Sequence, residues 1–79
     1  MKLDNIRNEH DLEILGYDCE CRLTDIEVEP EDYDYERYWV WKHKETSKQI
    51  VIYDLGNTYC RYDNKLTNLI NIKQTKSAN

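Results

Sequence analysis

Asp25, Glu27, Glu29, Glu31, Asp32, Asp34 and Glu36 put seven carboxylates into twelve residues, with no Lys or Arg among them. Tyr33 and Tyr35 are threaded through the end of the run, and Tyr38 follows it. Carboxylates at this density attract cations. In an extended strand, alternate residues lie roughly 6.7 Å apart, twice the ~3.4 Å rise. Phosphates on one DNA strand recur every ~3.4 Å of axis, and their winding path lengthens the true spacing to roughly 6–7 Å. Asp25, Glu27 and Glu29 on one strand face would therefore imitate a short length of phosphate backbone. Glu31, Asp32, Asp34 and Glu36 would extend the negative field, and Tyr33, Tyr35 and Tyr38 would supply apolar anchors. The competing reading is a solvated strand face and an acidic loop that serve solubility.

The rest of the charge is sorted the opposite way. Residues 1–36 carry 13 acidic and 3 basic side chains, a net of −10; residues 37–79 carry 3 and 8, a net of +5. Segregation of this kind acts on partner choice and encounter rate more than on fold.

Other constellations are weaker. Cys19, Cys21, Cys60 and His43 have the chemistry of a three-thiolate, one-imidazole zinc site. A C-x-C pair on one strand, however, separates its sulfurs by roughly 6.7 Å at the backbone, and there is no second paired knuckle. The three Cys read better as small core hydrophobes, and no metal or cofactor is expected. Asp32, Asp34 and Glu36 offer hard oxygens to Ca²⁺ but lack the glycine turn and distal Glu of an EF-hand loop. Trp39, Trp41, Tyr59, Arg61, Tyr62, Lys42 and Lys44 have the composition of a base-stacking surface, although at least one Trp must fill so small a core. His10 and His43 fall in no nucleophile motif, and Ser47 lacks a G-x-S-x-G context, so no enzyme is expected. A domain of this size also leaves little room for a ligand cavity of ~300 Å³.

The elements that would position these groups follow from periodicity. Residues 3–15 permit a short amphipathic helix, capped by Asp4 and stopped by Gly16, with Leu3, Ile6, His10 and Ile14 on one side and Leu12 and Leu15 widening the stripe. A strand over Asp11–Leu15 competes with it. From Tyr17 the period is two: Tyr17, Cys19, Cys21 and Leu23 share a face. Ile26 and Val28 have the opposite parity, which a bulge near Thr24–Asp25 would correct, turning Asp25, Glu27 and Glu29 outward. Pro30 ends that strand, and Glu31–Glu36 is a charged loop. Arg37–Lys44 carries apolar bulk on both faces, as a central strand does. Glu45–Lys48 is a turn, Gln49–Leu55 a strand, Gly56–Asn57 a turn, Thr58–Tyr62 a strand and Asp63–Lys65 a turn. Leu66–Ile72 fits helix or strand equally, and Gln74–Asn79 reads as a frayed tail.

Seventy-nine residues make a single domain spanning 1–79. The fold expected is α+β, a short N-terminal helix on an antiparallel sheet of four or five strands; a small half-open all-β barrel is the alternative. No apolar run approaches 18 residues, and Met1–Gly16 does not read as a signal peptide. An odd count of three Cys fits reduced thiols and a cytoplasmic setting. Lys, Asn, Ile and Tyr occur seven times each, and their A/T-rich codons point to a low-GC bacterium or its phage. The function expected is that of a non-enzymatic inhibitor or modulator, a nucleic-acid mimic that binds a protein with a basic, nucleic-acid-binding cleft and contacts neither nucleic acid nor membrane. The alternatives are a single-stranded nucleic-acid-binding module built on the C-terminal meander, or a homo-oligomeric accessory protein.

Overall fold

The computed structural model describes residues 2–25 and 37–77. In chain order they form a 3-10 turn (Leu3–Asn5), helix α1 (Glu9–Ile14), strand β1 (Tyr17–Arg22), a second 3-10 turn (Leu23–Asp25), strands β2 (Tyr38–His43), β3 (Gln49–Gly56) and β4 (Tyr59–Tyr62), and helix α2 (Asn64–Ser77). The four strands make one sheet in the order β1-β2-β3-β4, each antiparallel to the next. The fold is α+β, with the short N-terminal helix and a longer C-terminal one.

Apolar bulk on both faces of β2 and β3 has a direct consequence, because each face must be covered. Ile6 and Leu12 pack with Tyr17, Trp41, Ile50, Ile52 and Cys60 on one face. On the other, Leu66 and Ile70 of α2 pack with Leu23, Tyr38, Val40 and Val51. The register Val40↔Val51 and Trp41↔Ile50 places these side chains side by side on their respective faces.

Several sequence expectations are corrected here. The helix expected over 3–15 is broken at Ile6, which leaves Asp4 without a capping role; Asn8 caps α1 by accepting from Asp11 N at 3.0 Å. His10 and Ile14 are exposed, and Leu12 is the buried residue of α1. Gly16 does stop the helix: its φ is +94°, and its N–H donates to Glu13 O at 3.0 Å. The hairpin between β3 and β4 turns on Asn57 and Thr58, both at positive φ, rather than on Gly56–Asn57. Leu66–Ile72 is helical, and α2 runs to Ser77, past the point where a frayed tail was expected.

The bulge is the most consequential correction. It lies between Cys19 and Cys21, not near Thr24–Asp25: Cys19 faces Trp41, Cys21 faces Val40, and Glu20 is the extra residue. One inserted residue reverses every later side chain. Tyr17 and Cys19 therefore lie on the α1 face, whereas Cys21 and Leu23 join the α2-side core. β1 ends at Arg22, and Asp25 sits in a 3-10 turn where its carboxylate accepts from Arg22 N at 3.2 Å. The uninterrupted strand that would have started an acidic row at Asp25 is absent at that residue.

The outer edge of β4 is covered by the chain before α1. Cys60 N donates to Arg7 O at 2.9 Å, Glu9 N donates to Thr58 O at 3.1 Å, and Asn8 bridges Tyr59. These bonds satisfy edge groups that would otherwise be open to another chain, and they fix α1 against the sheet.

Candidate functional site

Of the ten residues expected at a partner surface, Glu27, Glu29, Glu31, Asp32, Tyr33, Asp34, Tyr35 and Glu36 lie outside the described residues. Asp25 is exposed. Tyr38 is not on the surface: it is 7% exposed, and its ring lies against Tyr53 with centroids 4.8 Å apart. It opens a central strand, and its parity on β2 turns it towards Leu66 and Ile70, so it is a core residue and not a displayed anchor.

The structure assembles a different acidic site, on the α1 face. A cavity of ≈ 300 Å³ lies between α1 and the β1–β2 half of the sheet, lined by Glu9, Glu13, Asp18, Cys19, Trp39 and Trp41. Its origin is geometric. A six-residue helix is only about 9 Å long, whereas a four-strand sheet is roughly 14 Å wide, so α1 cannot cover the whole face. Leu12 is the buried anchor of α1; Glu9 and Glu13, four residues apart on the same side of the helix, line the cavity. Trp39 and Trp41, two apart on β2, face the same side of the sheet. Trp41 is buried and Trp39 half-buried. A depression of this size sits at the bound expected from the sequence, which left little room for a cavity of ~300 Å³.

The local electrostatics are negative. Glu13 lies 3.8 Å from His10 Nδ1, and Asp18 lies 3.7 Å from Lys44 Nζ. The Glu9 carboxylate has no ion-pair or hydrogen-bond partner among the described residues. Burial raises the Cys19 thiol pKa above its ordinary value, and the charge of Glu9 raises it further. Cys60, 4% exposed, is pushed up to about 11 by burial first and then by Glu9, Asp11 and Asp54. Burial likewise raises the pKa of Cys21, with Glu20 and Asp25 adding to it. Three thiols held protonated at neutral pH are poor nucleophiles and poor metal ligands. Cys60 is a core residue, whereas Cys19 is exposed, a correction to the reading of all three as core hydrophobes. Among the described residues, no group of three or more His, Cys, Asp or Glu is arranged to hold a metal ion.

The basic residues of β2 and its turn are committed locally. Lys42 Nζ lies 3.7 Å from Glu20, and Gln49 Nε2 donates to the same carboxylate at 2.6 Å. His43 Nδ1 accepts from Glu45 N at 3.2 Å and from Thr46 N at 3.3 Å, so the imidazole holds the turn after β2. Arg61 lies over Tyr53, 5.4 Å from the ring centroid. The aromatic and basic residues of the meander thus divide between the two faces: Trp39 and Trp41 on the α1 side, Lys42 and Arg61 on the other.

Sequence reasoning missed the site formed by Glu9, Glu13, Asp18, Trp39 and Trp41. Two signals were present, the i, i+4 acids on a helix and the i, i+2 tryptophans on a strand. Their convergence depends on how α1 docks against the β1–β2 half of the sheet. Compared with protein-family models, curated proteins and solved structures, the chain matches none. Among the described residues, no helix is long and apolar enough to cross a membrane.

Proposed function

We propose that this protein is a non-enzymatic modulator that docks its acidic N-terminal half onto the basic, nucleic-acid-binding surface of a partner protein. The observation that carries the reading is the division of charge, −10 over residues 1–36 against +5 over residues 37–79. Further support comes from Glu9 and Glu13, which line the same depression as Trp39 and Trp41. A field of this sign steers a basic partner and repels nucleic acid, so the protein would compete with nucleic acid for that partner. Lys42 and Lys44 lie beside Glu20 and Asp18, which lowers their value for gripping phosphates and weighs against direct binding of single strands.

The test is capture from a bacterial lysate on the immobilised protein, eluted in salt steps and, separately, by a duplex oligonucleotide. Captured proteins should be basic, should leave at moderate salt because surface fields are screened within about 10 Å at 0.1 M, and should be displaced by the oligonucleotide. The triple substitution Glu27→Lys, Glu29→Lys and Asp34→Lys should abolish capture while leaving the thermal melt unchanged. Equal capture by wild type and variant, at the same salt, would sink the reading.

A further inference from the structure

We propose that the cavity between α1 and the β1–β2 half of the sheet receives an arginine side chain of the partner. This rests on the basic partner surface argued above and names the group that surface would insert. The cavity joins two features that a guanidinium uses together. Trp39 and Trp41 line it from the sheet, and Glu9 and Glu13 line it from α1, with Asp18 and Cys19 of β1 completing the wall. A delocalised planar cation stacks on an indole face and extends its donor fork to carboxylates at the ring's edge; a compact ammonium does the second well and the first less well. Trp39 already makes one such contact within the chain, since the Arg22 guanidinium carbon lies 5.1 Å from its ring centroid. Arg22 is not among the residues lining the cavity.

Size and charge support the same occupant. At ≈ 300 Å³ the cavity suits one long side chain, at the lower limit of the ~300–1,000 Å³ of small-molecule sites. Asp18 has a counter-charge in Lys44, and Glu13 has the His10 imidazole 3.8 Å away, whereas the Glu9 carboxylate has neither among the described residues. An incoming cation would meet that open carboxylate beside the exposed rim and then the half-buried ring of Trp39. An anion would meet the carboxylates of Glu9 and Glu13, and an uncharged apolar group would bury them without compensation.

Both tryptophans of the chain line the cavity, so intrinsic emission reports on its occupancy. The experiment titrates the full chain at low salt with the capped peptide Gly-Arg-Gly, with the same peptide carrying citrulline, and with Gly-Lys-Gly. A saturable change with the arginine peptide is expected, at least ten-fold weaker with citrulline, which keeps the shape and loses the charge, and several-fold weaker with lysine. The double substitution Glu9→Gln and Glu13→Gln should weaken arginine binding about ten-fold, the equivalent of ~1.4 kcal/mol, with far-UV circular dichroism and the melting temperature unchanged. Trp39→Leu, which keeps an apolar side chain on β2, should also weaken it. No saturable response up to about 50 mM, an equal response to citrulline, a preference for lysine, or indifference to the carboxamide pair would each overturn the proposal. The titration needs no partner and leaves residues 25–36 intact. Failure here with capture still lost in the charge-reversed triple variant would retire the cavity and keep the acidic docking face; the reverse pattern would do the opposite.

Discussion

Thr67→Val tests how α2 is joined to the sheet. Thr67 is 2% exposed, the one buried polar side chain among the described residues. Its hydroxyl donates to Asp63 O at 2.7 Å and accepts from Val51 N at 2.8 Å. β4 pairs with β3 only from Ile52 onward, so the Val51 amide has no strand partner on that side. Asp63 N donates to Val51 O at 2.9 Å, and together the two bonds extend the ladder from β4 into the first turn of α2. Valine keeps the branched shape but offers no acceptor. The Val51 N–H is then buried and unpaired, at a cost of about 1–3 kcal/mol. Asp63 O keeps its bond from Thr67 N, so the second loss is smaller. A central figure of about 2 kcal/mol means a roughly 30-fold smaller folding constant and about 8–16 °C in melting temperature for a chain of this length. Urea denaturation measures the first, and amide exchange at Val51, accelerated beyond that of its neighbours, identifies the bond. Thr67→Ser keeps the hydroxyl and loses one methyl, at about 1 kcal/mol. The reasoning fails if Thr67→Val lies within about 0.3 kcal/mol of wild type, or if serine proves the more damaging change.

Gly16→Ala should destabilise by about 2–4 kcal/mol in the same assay, because Gly16 has φ +94° and an added Cβ would lie 2.9 Å from His43 Nε2; a loss below about 1 kcal/mol would mean the turn after α1 adjusts freely. Alkaline pH should also destabilise the fold. An unfolded thiol ionises near its ordinary 9.0, whereas folded Cys60 holds its proton to about 11. Stability is thus complete below 9, falls between 9 and 11 as the unfolded chain alone loses the proton, and levels off above. Tyr17, also raised by burial, acts in the same sense. Urea midpoints at pH 8 and 10.5 check this: Cys60→Ala should be less stable throughout but show a shallower pH slope, and an unchanged slope would exclude Cys60 as the cause.

What the sequence made legible was what periodicity controls. Two-faced apolar patterning marked Arg37–Lys44 as a central strand and Gln49–Leu55 as a strand beside it, and they are β2 and β3, flanked on both sides. Gly16 as a helix stop was likewise readable from local chemistry alone. The failures have a common cause in tertiary competition. Asp4 is a good cap by type, but the chain from Arg7 to Glu9 is drawn onto the β4 edge, and the helix starts where Asn8 can cap it. Leu66–Ile72 contains two Asn that weaken a helix, yet Leu66 and Ile70 have a sheet face to bury against and Asp63 caps the start, accepting from Leu66 N at 2.8 Å. Tyr38 belonged by sequence proximity to the acidic, tyrosine-rich run, and by strand parity to the core; parity decided its place.

The same competition explains why the cavity was harder to see than the acidic run. A charge run is visible in sequence because its members are neighbours. The Glu9–Glu13–Asp18–Trp39–Trp41 cluster joins a helix, an edge strand and a central strand, and no window of sequence contains it. One residue decides what lies beyond it on β1. With Glu20 bulged out, Cys19 keeps its place opposite Trp41 on the α1 face while Cys21 crosses to Val40 and the α2 core. Had the register continued without the bulge, the small Cys21 side chain would have stayed on the α1 face, and Leu23 would have lost its place under α2. Shifting the extra residue to Thr24–Asp25, as the alternation implied, would leave the α2-side core short of a fully buried leucine. The bulge therefore serves the α2-side core, while the depression beside Cys19 lies on the opposite face, where the strand before the bulge keeps its parity.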